Sequence, residues 1–85
     1  MTESRRSASP ATLAELARRI KDGRKDLGLT AERLARRADV TVRYVQAMEA
    51  QEIKNPGLQN LLQLAAALEL DSGDFLRDLP PVEVG

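Results

Sequence analysis

Eighty-five residues without a cysteine or a histidine make one small domain, with no disulfide, no thiolate or imidazole metal site and no imidazole base. Leucine and alanine dominate the apolar residues, which favours helices over strands and predicts an all-α fold. Thirteen basic residues balance thirteen acidic ones, so the formal net charge is zero, and no strongly basic or acidic total points to a partner.

Taken in chain order, residues 1–9 are polar and small and predict a flexible basic arm carrying Arg5 and Arg6. The first helix starts at Ser9-Pro10 or at Thr12, where Thr12-Leu13-Ala14-Glu15 fits a capping box with Glu15 reaching back to the cap. Leu13, Leu16, Ala17, Ile20 and Leu27 follow helical spacing, and Gly28 ends the helix in a left-handed conformation. Thr30 caps a second helix over residues 31–38, and Thr41 caps a third over 42–50. Asn55-Pro56-Gly57 breaks the chain before a fourth helix from Leu58 to Glu69. Its Leu58, Leu61, Leu62, Leu64, Ala65 and Leu68 cover more than one stripe, so it is central in the core or shared with a partner. Asp71-Ser72-Gly73-Asp74 opens a short fifth helix through Phe75, Leu76 and Leu79, which Pro80-Pro81 ends. Residues 10–79 are the expected domain and residues 80–85 a disordered tail.

Residues 30–49 carry the most informative pattern. Leu34, Ala35 and Ala38 share one face of the second helix, Val45 and Met48 share one face of the third, and Val40 fills the corner between them. Helices cross steeply only where the contact residues are small, and Ala35 supplies a methyl where the crossing is tightest. This is the spacing of a helix-turn-helix, which presents its second helix to the DNA major groove. The charge distribution agrees. Before residue 46 there are eleven basic and six acidic residues; after it there are two and seven. A basic face attracts phosphate even when the total is neutral.

From Leu13 to Leu76 the chain resembles the Cro and phage-repressor type of helix-turn-helix domain, also called the Xre family. The resemblance rests on Arg24, Gly28-Leu29-Thr30, Leu34-Ala35, Val40-Thr41, Tyr44-Val45, Met48-Glu49, Pro56 and Leu64-Ala65-Ala66-Ala67-Leu68. It implies a compact five-helix, lambda-repressor-like DNA-binding domain with the helix-turn-helix at helices 2 and 3. It also implies an ion pair between Arg24 and Glu49 that locks helix 3 onto helix 1. Bases would be read by Val42, Arg43, Gln46 and Ala47. Arg43 would grip guanine bidentately, Gln46 would read adenine or hold a phosphate, and Val42 would touch a thymine methyl. The DNA backbone would be met by Thr30, Ala31, Arg33, Arg36, Arg37, Thr41, Tyr44 and Lys54, with the Tyr44 hydroxyl toward a phosphate. Plain helix solvation is the competing reading for each exposed cation. For the Arg5-Arg6 arm, a solvated terminus competes with insertion into a minor groove.

Four positions depart from the family pattern. Ala31 replaces a glutamine, which leaves only backbone amides for the phosphate. Asp39 replaces the glycine of the tight turn, and aspartate enters the left-handed region more readily than most residues. Gln51 replaces a glycine after Glu49, and Ala47 stands where some relatives carry a base-reading side chain. These departures bear on DNA reading more than on the fold.

The expected function is a sequence-specific DNA-binding transcriptional regulator, most simply a repressor. It would bind double-stranded DNA as a homodimer through the broad apolar arc of helix 4 and the Phe75 region. One alternative is the antitoxin of a toxin–antitoxin pair, repressing its own operon with a toxin as partner. Another is a protein-interaction module that kept the fold and lost DNA. An enzyme would need a nucleophile–base pair, a metal set or a phosphate loop, and the sequence offers none; no metal and no cofactor are expected. No apolar run approaches the ~20 residues that span a bilayer. Residues 1–6 lead into no hydrophobic segment, so a cytoplasmic protein without a membrane partner is expected.

Overall fold

The computed structural model describes residues 8–80. The expected Arg5-Arg6 arm and the Val82–Gly85 tail lie outside the described residues. Five helices follow in order: α1 (Pro10–Asp26), α2 (Ala31–Ala38), α3 (Val42–Glu49), α4 (Leu58–Ala67) and α5 (Ser72–Leu76). Helix α2 packs on α3 and α4, α1 packs on α3, and α4 packs on α5.

Ser9 begins α1. Its hydroxyl accepts from the Thr12 amide at 3.1 Å, and Pro10 takes a first-turn position where its missing N–H costs nothing. The capping box expected at Thr12 does not form. Thr12 lies one turn inside the helix, buried, and its hydroxyl donates to the Pro80 carbonyl at 3.1 Å. Glu15 instead accepts from Arg18 and Arg19. Those guanidiniums, Arg18 first, hold its carboxyl down at about 2. Ala8 and Ser9 are not part of a free arm: the Ala8 amide donates to the Lys54 carbonyl at 2.9 Å.

Four helices end in the same way. Past α1, the Leu29 amide reaches the Arg24 carbonyl at 2.9 Å and the Gly28 amide reaches Lys25 at 3.0 Å. This paired bond is the Schellman motif, which needs a left-handed residue at the corner. The same long bond joins Val40 to Ala35, Glu52 to Ala47 and Leu70 to Ala65, at 3.0, 2.8 and 2.9 Å. Glycine occupies only the first corner. The others carry Asp39, Gln51 and Glu69 at φ of 58°, 62° and 61°, where a side chain costs roughly 1–2 kcal/mol. Leu27 takes the C-cap of α1 and is exposed rather than continuing the apolar stripe.

The core gathers Leu16 and Ile20 from α1, Leu34, Ala35 and Ala38 from α2, Val45 and Met48 from α3, and Leu64 with Leu68 around α4. Truncating a side chain such as Ile20 or Leu34 to alanine would cost about 2–5 kcal/mol. Phe75 from α5 is 1% exposed and belongs to this core. It is therefore no part of a dimer surface, contrary to the sequence expectation, because α5 folds inward over α1 and α4. The wide apolar arc of α4 separates into two faces. Leu61, Leu64 and Ala65 point inward, while Leu58 and Leu62 remain 64% and 39% exposed. At Gly23 a Cβ would stand 3.3 Å from Leu68, so the absence of a side chain lets α1 approach the end of α4.

Candidate nucleic-acid interface

Helix α3 starts where Thr41 accepts from the Tyr44 amide at 3.0 Å. Val45 and Met48 anchor its inner face, and Arg43 and Gln46, three residues apart, stand exposed on its outer face. Residues at that spacing are neighbours on a helix surface, so one guanidinium and one amide lie side by side. Val42 and Ala47 flank this row and are half-buried, with Val42 packed against the core. The outward-facing row is thus narrower than the four positions expected from the sequence.

Two fasteners hold α3 in place. At its C-terminus, Arg24 Nε and Nη2 donate to the two carboxylate oxygens of Glu49 at 2.8 and 3.0 Å. Arg24 Nη1 also donates to the Leu29 carbonyl at 3.0 Å. A forked guanidinium–carboxylate pair fixes direction as well as distance. At the other end, Gln63 Nε2 on α4 donates to the carbonyls of Ala38 and Asp39 at 2.9 and 3.3 Å. These carbonyls close α2 and enter the turn. Sequence reasoning missed Gln63. A signal for it existed: Asn60 and Gln63, three residues apart, share one side of α4, and its third amide, Gln59, is exposed.

Tyr44 departs from expectation. Its hydroxyl is buried, turned toward α4 near Asn60, and makes no hydrogen bond of ordinary geometry. It cannot meet a phosphate in this position. Burial pushes the phenol pKa up, with Asn60 opposing weakly.

Helix α2 opens at Thr30, whose hydroxyl accepts from the Arg33 amide at 3.1 Å. The first-turn amides at Ala31 lack intrahelical acceptors and form the positive end of the helix. The Ala31 side chain packs against the core. Arg33, Arg36 and Arg37 lie opposite the Leu34–Ala35–Ala38 face and, with Leu29, line a shallow pocket of about 250 Å³. Arg37 is drawn aside by Glu69 at 3.0 Å, an exposed pair of the kind worth about 0–1 kcal/mol. Lys54 is exposed in the α3–α4 loop. Among the described residues no three His, Cys, Asp or Glu side chains cluster to hold a metal. None of the described helices is long and apolar enough to cross a membrane.

A helix-turn-helix family model matches residues 20–75, and no match was found among curated protein sequences. The restriction-modification controller protein C.AhdI from Aeromonas hydrophila is 31% identical with a TM-score of 0.71, over 76% of this chain and 97% of that one. The hypothetical transcription factor NHTF from Neisseria is 30% identical with a TM-score of 0.74, over 95% and 90%. SinR of Bacillus subtilis, the master regulator for biofilm formation, has been solved with DNA. It is 31% identical with a TM-score of 0.67, over 72% and 97%, and it has also been solved with the SinI protein. This chain belongs to the helix-turn-helix family, in its Cro and phage-repressor branch.

Proposed function

We propose that this DNA-binding transcription regulator is a repressor that lays α3 in the major groove and reads bases with Arg43 and Gln46. The observation that carries the reading is the pairing of these two side chains on the solvent face of a helix whose opposite face is locked in the core. Val42 and Ala47 border the row and add apolar contact. The amides at the start of α2, with Thr30, Thr41, Arg33, Arg36 and Lys54, hold the phosphates on either side. Cation–phosphate contacts make binding fall steeply with salt. A symmetric dimer places two such helices on half-sites about 34 Å apart, and the exposed Leu58–Leu62 face of α4 is the surface on which a second copy would close.

The test is binding of two duplexes, one selected from a random pool and one of random sequence, across a salt series. Arg43→Ala should cost about 1–3 kcal/mol of discrimination at one base pair, without changing the melting temperature. Equal affinity of the native chain for both duplexes at every salt concentration would refute sequence-specific reading.

A second reading is favoured by the same exposed leucines. SinR, the relative solved with SinI, is a DNA-binding protein that also takes a protein partner. On this chain Leu58 and Leu62 would serve such a partner, a toxin in the antitoxin case.

A further inference from the structure

Helix α3 is held at its two ends by different chemistry. Its C-terminus is fixed by the forked Arg24–Glu49 pair. Its N-terminal end carries Arg43 and hangs from the turn at Asp39–Thr41. That turn contains a non-glycine residue, Asp39, at φ 58°, in the left-handed region that aspartate enters more readily than most side chains. The last carbonyls of a helix have no partner within the helix. Here those of Ala38 and Asp39 receive one side-chain amide, Gln63 Nε2, from the middle of α4. Gln63 is 24 or 25 residues away from them in sequence, so the bond is a tertiary brace rather than a local cap. One turn earlier on α4, Asn60 stands beside the buried Tyr44 hydroxyl of α3. One side of α4 therefore meets the helix-turn-helix at its corner and at its reading helix.

We propose that Gln63 is a positioning residue for DNA reading: its amide, donated from α4 to the carbonyls that close α2, sets the angle at which α3 presents Arg43. The inference rests on the DNA reading given above. A recognition constellation must be held within about 0.5 Å and 10–20° to act. The donor is what matters. A carboxylate in its place would face two carbonyls and the negative end of α2, whereas an ammonium would satisfy both.

The test compares Gln63→Leu, Gln63→Glu and Gln63→Lys, each confirmed folded by thermal melting. Affinities are measured for the selected duplex and the random duplex, and residual dipolar couplings report the orientation of α3 relative to α4. In the Leu variant the affinity for the selected duplex should fall about three- to tenfold while the random duplex is unaffected. The added charges of the Glu and Lys variants move both duplexes together, so there the readout is the ratio of selected to random affinity, which should fall by the same factor in the Glu variant. The couplings should show α3 turned, and Gln63→Lys should restore both readouts. Equal losses on the two duplexes, or an unmoved α3 in Gln63→Leu, would overturn the proposal. A native chain that binds both duplexes alike would sink the DNA reading instead, and the couplings would then judge the brace alone.

Discussion

Arg24 on α1 and Glu49 at the end of α3 meet through two parallel bonds of 2.8 and 3.0 Å, yet the two partners are not equivalent. Arg24 lies in the last turn of α1, where the helix dipole favours a cation, and it also donates to the Leu29 carbonyl. Glu49 is the last residue of α3, where the dipole disfavours an anion. Without Glu49, Arg24 keeps the helix dipole and the Leu29 carbonyl; without Arg24, Glu49 keeps no hydrogen-bond partner among the described residues. Breaking a buried pair costs about 3–5 kcal/mol. The rims of both side chains reach solvent, at 17% and 12% exposure, so Glu49→Ala should fall near the lower figure and Arg24→Ala above it. Chemical denaturation of both variants measures the order; equal losses would contradict the dipole argument.

Gln51→Gly should stabilise the fold. The left-handed conformation costs a side chain roughly 1–2 kcal/mol, and glycine gives back about 0.5–1 kcal/mol through the greater freedom of its unfolded chain. The net gain is about 0–1.5 kcal/mol, centred near ~0.75 kcal/mol, which is a rise of about 3–6 °C in melting temperature for a domain this size. Gln51→Val should move it the other way, since a β-branched residue is worst suited to that region.

Tyr44→Phe should also stabilise, by about 1 kcal/mol, because it removes a buried hydroxyl that makes no hydrogen bond. The same substitution should flatten the alkaline limb of the stability curve. With its pKa raised in the folded state, ionising Tyr44 costs the folded chain more than the unfolded one, so the protonated phenol is the form relatively favoured by folding. That contribution is full below pH ~10, the unfolded value, and is lost as pH rises through the higher folded value. A melting series from pH 9 to 11 on both proteins checks it.

Acid should weaken the protein through Glu15. Its carboxyl titrates at about 2 in the fold rather than 4.5, held by Arg18 and then Arg19. A lowered pKa gives stability that is present above 4.5 and lost as pH falls toward 2. Glu15→Gln should therefore show a shallower decline in melting temperature over that window than the native chain.

Leu58→Asp combined with Leu62→Asp should leave the monomer nearly as stable as before, since both side chains are exposed. Sedimentation equilibrium should then show a monomer, and binding to a two-half-site duplex should lose its cooperativity. A native chain that sediments as a monomer at every concentration would exclude this face as a homodimer contact.

Much of the fold is legible because local signals agree. Thr30 and Thr41 cap helices, Gly28 ends one, and the leucines and alanines between them repeat at helical spacing. The exposed row on α3 follows once Val45 and Met48 are assigned inward. What the sequence hides is direction across elements. Nothing local says that Tyr44 turns toward α4, that Phe75 folds into the core, or that Gln63 reaches the carbonyls of α2. A long amide on an amphipathic helix has the same sequence signature whether it faces water or a neighbouring turn. Thr12 misled for a related reason. Its spacing to Glu15 is right for a capping box, but Ser9 with Pro10 forms the better start one turn earlier.

The bond from the Thr12 hydroxyl to the Pro80 carbonyl brings the entry of α1 beside the exit from α5. A short linker from Pro80 to Ala8 would bridge that gap. New termini opened in the α3–α4 loop would then leave the Arg43–Gln46 row untouched, while loosening Ile53 from the core and the Lys54 carbonyl from the Ala8 amide. A circular permutant of this kind should still fold, with a lower melting temperature and weaker phosphate contact from that loop, and should keep its base discrimination, because Arg43 and Gln46 stand on an element the cut does not enter.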